Sequence, residues 1–207
     1  VIGTVRLWCD ARNQPEADEL TQLFQEVEHG HGQQHSISIP KRCTIARWLW
    51  TIRNQPELAK QCTFLTTPAG WLSFQLTNGS KTLGIGDASG MFPMESTTTT
   101  TNSTTTNKNY HSGLLSKCYA LVNDPSIPSI ASLLPHVVTC GKDAGVLSEE
   151  AAEWLGIQEL AGIPVAAAEG DQPAALAGSL IGRSGMVSCS FGTSVCANLV
   201  GGGGGGG

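Results

Sequence analysis

No apolar run in this sequence is longer than a strand. The longest mostly apolar stretch, residues 163–168 (IPVAAA), ends in Glu169-Gly170-Asp171-Gln172. A membrane span needs roughly 18 uninterrupted apolar residues. The core must therefore come from short strands and amphipathic helices packed together. Leu20, Leu23, Phe24 and Val27 recur at three-to-four spacing and predict a helix over 15–28, with Pro15 in its first turn and Asn13 as its N-cap. Ile45, Trp48, Leu49 and Ile52 mark one face of a second helix over 41–53. Shorter helices are expected at 57–61, at 69–76 with Trp71, Leu72 and residues 74–76 in the core, at 112–122, near Ile130 and at 173–180. Ser148 reads as the cap of a helix over 149–155, with Gly156 just past its end. Strands are expected at 1–8, 64–67, 82–85, 137–139, 163–168, 186–191 and 195–200, the last two joined by a tight turn at 192–194. Residues 29–36, 86–90 and 141–146 read as loops and turns, and Asn78-Gly79 as a turn.

Composition excludes several classes. Apolar residues make up 40% of the 207, enough for a core in one or two domains. The net charge is -5 and the 12 basic residues are scattered, so no basic face for nucleic acid is visible. The chain starts at Val1 without a basic, apolar, small-residue leader, which reads as a cytoplasmic protein or one whose start is missing. Seven cysteines with no C-x-x-C pair read as buried, reduced thiols. Three histidines in HGHGQQHS read as a glycine-broken loop rather than a metal site. His111 and His136 have no partner visible in the sequence. Residues 96–109 are Thr/Asn-rich without one apolar side chain, so a disordered insertion is expected there, and the seven terminal glycines (201–207) read as a flexible tail.

Two segments pass a chemical test. In the first, Asp171 falls just beyond a strand, where an open α/β sheet binds ligands, and Gly170 allows close backbone approach. A carboxylate there can take a proton from a substrate hydroxyl. On local pattern alone, the same residue reads first as a helix cap before Pro173. In the second, Ser190-Phe191-Gly192-Thr193-Ser194, a glycine-hydroxyl turn can present N–H groups and a hydroxyl to phosphate. It also reads as an ordinary hairpin turn. Asp87, in the glycine-rich GIGDASG segment, either touches substrate or bonds its own loop amides. Asp10 and Arg12 read as a helix cap and its ion-pair partner.

The order of motifs carries a resemblance. LWCDAR (7–12), IPKRCTIARWLW (39–50), LTTPAGWLSFQLTNGSKTLGIGDASGMFP (65–93), GVLSEEAAEWLG (145–156), IPVAAAEGDQPAALAG (163–178) and VSCSFGTSV (187–195) follow one another. Together they resemble the FGGY family of carbohydrate kinases, the xylulokinase-like and ribulokinase-like enzymes. The resemblance implies an α/β, actin-like (ribonuclease-H-like) ATPase fold of two domains around a cleft. Residues 1–182 would be most of the first, sugar-binding domain without its N-terminal strands. Residues 183–200 would open the second, ATP-binding domain. It further implies ATP and Mg²⁺ as cofactors, and a sugar or polyol, a ketopentose by preference, as the small-molecule partner. Nucleic acid and membrane are not implied, and a homodimer is left open. Asp171 would be the general base, with Gln172 and Asp87 at the substrate and Gly192 and Thr193 at the phosphates. Asp10 and Arg12 would be structural.

The sequence also departs from that pattern. No D-x-G-T motif precedes Val1, and polyglycine follows Val200. The chain reads as an internal fragment that binds ATP poorly and does not turn over alone, with unpaired sheet edges. The alternative is a non-catalytic, kinase-derived binding or regulatory protein.

Overall fold

The computed structural model describes residues 9–30, 38–95, 109–122, 124–192 and 195–199. The expectations for 1–8, 31–36, 96–108, 193–194 and 200–207 lie outside these. The chain runs α1 (Gln14–Gly30), α2 (Thr44–Asn54), α3 (Pro56–Lys60), α4 (Pro68–Leu76), β1 (Thr82–Gly84) and α5 (Ile85–Met91). It continues through α6 (Ser112–Ala120), α7 (Ile130–Leu133), β2 (His136–Val138), β3 (Asp143–Val146) and α8 (Glu149–Leu155). A short 3₁₀ turn (Gln158–Leu160) leads to β4 (Pro164–Ala166), α9 (Asp171–Gly178), β5 (Val187–Phe191) and β6 (Val195–Leu199).

The periodic helices form where their patterns place them. The Asn13 carbonyl accepts the first helical bond from Ala17 N–H at 3.1 Å, while its side-chain amide donates to the Lys41 carbonyl at 2.6 Å. The N-cap position is as read, but the side chain ties α1 to the next loop. Leu20, Phe24, Ile45, Trp48, Leu49, Phe92, Leu114, Ile130 and Leu133 build the main core. A second cluster, Leu83, Ala88, Met91 and Val137, packs around β1 and β2. Ser148 Oγ accepts Ala151 N–H at 3.1 Å, and α8 ends on Gly156 at φ 72°. His111 does have a partner: its Nε2 lies 2.9 Å from Glu28 Oε1 in the core.

Several expectations are corrected. Helix α4 leaves Trp71 and Leu72 38% and 53% exposed and buries Gly70 and Ser73 instead. Thr66 and Leu83 press so close to Gly70 that a methyl there would collide with Thr66 Oγ1, so the helix seats its smallest face inward. Residues 64–67 form no strand. Leu65 N–H bonds Leu133 O at 2.9 Å, and Thr67 already caps α4 by accepting Gly70 N–H at 3.1 Å. Residues 86–90 are helix rather than loop, Asp143–Val146 is a strand, and His29 and Gly30 end α1. Only Cys43, Cys62 and Cys118 are buried; Cys9, Cys140 and Cys189 are exposed, Cys196 is half-buried, and all seven are free. Burial pushes the Cys43 and Cys118 thiols up to about 11 and about 12, which keeps them protonated and inert.

Each sheet among the described residues has two strands. β1 and β2 are parallel, with Leu83 opposite Val137. β3 and β4 are antiparallel with a register shift between Asp143 and Gly145. β5 and β6 form a hairpin in register from Val187–Leu199 to Phe191–Val195. Its apolar side chains lie bare, Phe191 at 79% and Leu199 at 67%. A lone two-stranded hairpin is marginal in water. Its amides are therefore expected to exchange with deuterium orders of magnitude faster than those of α2, whose Ile45–Leu49 face is buried. Hydrogen-exchange mass spectrometry yielding equal protection in the two segments would contradict this.

Candidate active site

β4 delivers the chain to residues 167–170, and α9 starts at Asp171. The loop is laced to the start of α5. Gly84 N–H bonds Ala168 O at 2.9 Å, and Asp87 N–H bonds Glu169 Oε2 at 3.2 Å. Asp87 sits in the first turn of α5, where its charge suits the helix N-terminus. Its Oδ2 accepts the Thr67 hydroxyl at 2.5 Å. Thr67 thus caps α4 and holds Asp87 with one oxygen. Gly170 lies beside Asp87: a methyl on it would stand 3.5 Å from Asp87 Oδ1.

Asp171 is exposed, in the first turn of α9 rather than at its N-cap, which is Gly170. Its Oδ1 accepts Gln172 N–H at 2.8 Å. The other carboxylate oxygen has no hydrogen bond among the described residues, so the group is presented to solvent within electrostatic reach of Asp87. Its charge reaches Asp87. Half-burial chiefly, and the Asp171 charge in addition, hold the Asp87 carboxyl above its usual range, against the lowering effect of the Thr67 bond. Behind Asp87 lies Tyr110, edge-on to Phe92 at 5.9 Å. Burial, then the Asp87 charge, raise the Tyr110 phenol. The Tyr110 hydroxyl and Glu169 Oε1 are buried without a hydrogen-bond partner among the described residues.

The structure therefore brings Asp87 and Asp171 together. Gln172 is exposed, and its Oε1 meets Asn198 Nδ2 of β6 at 3.4 Å. Gly192 is exposed at the tip of the β5–β6 hairpin, and Thr193 lies outside the described residues. Asp10 and Arg12 pair at 2.9 Å, and the guanidinium lies over the Trp50 ring; Asp10 does not cap α1, whose N-cap is Asn13. Sequence reading missed Thr67, Tyr110 and Glu169. The Thr67-Pro68 cap signal was legible, but its bond to Asp87 spans 20 positions. Among the described residues no three His, Cys, Asp or Glu side chains cluster as a metal cage. None of their helices is long and apolar enough to cross a membrane.

The Asp87 environment makes a stability prediction. Its folded value lies above its unfolded one, so its contribution is fully present below the ordinary carboxylate range. That contribution is lost as pH rises through the raised value. Asp87→Asn keeps an acceptor for Thr67 and removes the charge. It is expected to be more stable than the parent at pH 7, by less than about 1 kcal/mol because the group is half exposed. Urea titrations from about pH 4 to 7 should yield a flatter profile for the variant; parallel profiles would contradict this.

Residues 1–178 match the model of the FGGY family of carbohydrate kinases, N-terminal domain. The chain belongs to this family. Its fold is the α/β, actin-like ATPase fold that the resemblance implied. A crystal structure of a xyloylose kinase from Brucella ovis matches with a TM-score of 0.68 and 22% identity, over 92% of this chain and 34% of that one. Plasmodium falciparum glycerol kinase with ADP matches at 0.67 and 20% identity, over 91% and 33%. Xylulose kinase from Rhodospirillum rubrum matches at 0.60 and 19%, over 86% and 32%. This FGGY chain thus spans about a third of the length of these solved relatives. No curated protein sequence matches it.

Proposed function

We propose that the protein is a cytoplasmic, ATP-dependent kinase acting on a hydroxyl of a sugar or polyol, with a ketopentose as the first candidate. The observation that carries this reading is the exposed Asp171 carboxylate at the start of α9, on one rim with Asp87, in a chain of the FGGY family. Residues 1–182 would form the sugar-binding domain and 183–200 the opening of the ATP-binding one; the family match to residue 178 supports that boundary.

Phosphoryl transfer needs positioning and charge neutralisation more than covalent help. Asp171 would accept the proton of the attacking hydroxyl and hold its oxygen in line. Asp87, anchored through Oδ2 by Thr67, keeps Oδ1 for a second substrate hydroxyl. Its raised carboxyl, when protonated, can also donate. Gln172 would add an amide contact. Gly192 and Thr193 would meet the phosphates through backbone N–H groups and the Thr193 hydroxyl. Mg²⁺ in such sites keeps its waters and takes one or two carboxylates plus the phosphates. Among the described residues no three metal-ligating side chains cluster, so a hydrated Mg²⁺ held mainly by the phosphates is the form that fits this chain. Mg²⁺ would neutralise phosphate charge. Closure of the two domains would exclude water and limit ATP hydrolysis.

The test is a panel of pentuloses, hexuloses and polyols with MgATP and coupled ADP detection, on the protein expressed from its complete open reading frame. Sugar-dependent ADP release is expected with at least one ketose. ADP release indifferent to every acceptor would overturn the reading.

A further inference from the structure

We propose that Glu169 is a positioning residue for Asp171, fixing the gap between the base and the Asp87 rim; this rests on the kinase reading above. Asp171 itself is held only by a local bond to Gln172 N–H. What places it in space is the loop before it, tied back by the backbone of Ala167 and Ala168 and by the side chain of Glu169. Its carboxylate lies in a notch cut by two glycines. A methyl on Gly84 would collide with Glu169 Oε1 and stand 2.9 Å from Ala168 O. A methyl on Gly86 would stand 2.5 Å from Glu169 Oε2 and 2.7 Å from Pro173 Cγ, in the same α9 turn as Asp171. Gly86 lies inside α5, where glycine costs about 1 kcal/mol relative to alanine. The notch gives that cost a reason.

Oε2 then accepts Asp87 N–H at 3.2 Å, satisfying one of the free donors at the start of α5. One carboxylate therefore bonds the backbone of the Asp87 helix, in a notch that Pro173 of the Asp171 helix also borders. Its other oxygen is buried with no partner among the described residues. Glu169 touches no reacting atom in this scheme. It acts through Asp171, whose aim on the hydroxyl matters because a displacement of about 1 Å can cost about 10²-fold in rate.

The test uses the protein from its complete open reading frame. Glu169→Ala is expected to lower kcat about 10²-fold, with the KM for ATP changed less than about threefold. Glu169→Gln keeps the shape and an acceptor for Asp87 N–H, and is expected to recover most of the loss. In the 207-residue chain, the Asp87 amide proton should move upfield in Glu169→Ala, a readout independent of turnover. The proposal is overturned if Glu169→Ala keeps kcat within about twofold while Asp171→Asn does not. It is overturned equally if the Asp87 amide shift stays put. An active Asp171→Asn protein would instead overturn the underlying assignment of the base.

Discussion

Asp171→Asn is expected to lower sugar-dependent ADP formation by about 10²–10⁴-fold, the usual contribution of a positioned general base. The substitution is nearly isosteric, and the side chain is exposed. Its one bond, from Gln172 N–H, is accepted as well by an asparagine carbonyl. Loss of folding therefore does not confound the result, and denaturant midpoints of parent and variant should coincide. A second, non-kinetic consequence follows from the electrostatics. The Asp171 charge is one cause of the raised Asp87 carboxyl, after burial. Removing it should bring the Asp87 carboxyl-carbon titration closer to the ordinary aspartate range. A variant that keeps activity within about tenfold of the parent places the base elsewhere. A silent Asp87 titration places the two carboxylates farther apart than the shared rim requires.

The contrast between Asp171 and Asp87 explains how much of this site a sequence can reveal. Asp171 is legible because its surroundings are local: an apolar run, Gly170, then Pro173 and small residues make a strand–turn–helix within a few positions of one another. The same holds for α8, where Ser148 and Gly156 supply both ends. Helix α5 is different. Gly86 and Gly90 oppose helix by propensity, and a loop is the sensible local reading. The helix forms because tertiary contacts decide: Glu169 reaches Asp87 N–H across 82 positions, and Thr67 reaches its carboxylate across 20. Burial on α4 follows the same rule. Trp71 and Leu72 are the apolar side chains, yet the face that fits against Thr66 and Leu83 is the one carrying Gly70 and Ser73. Propensity and periodicity describe a segment alone, and both misreadings come from contacts made outside the helix itself.

The largest stability effect is expected from His111→Ala, and it too depends on a partner 83 positions away. His111 Nδ1 accepts the N–H of Leu114 at 3.2 Å and caps α6, so that nitrogen carries no proton. The ring proton is then on Nε2 and is donated to Glu28 Oε1 at 2.9 Å. Both side chains are 8% exposed, and the imidazole meets Phe24 edge-on at 5.1 Å between centroids. Truncation removes the cap, worth about 1 kcal/mol. It also strands a buried carboxylate, which typically costs about 3–5 kcal/mol when a paired partner is deleted. Against a total stability of about 5–15 kcal/mol for an ordinary domain, that is a large share. Denaturant unfolding at pH 7 should show the loss. The double variant Glu28→Leu/His111→Phe should regain most of it, because an apolar pair of similar volume leaves no unpaired charge in the core. A single-variant loss below about 1 kcal/mol would mean that Glu28 finds water or another donor once the ring is gone.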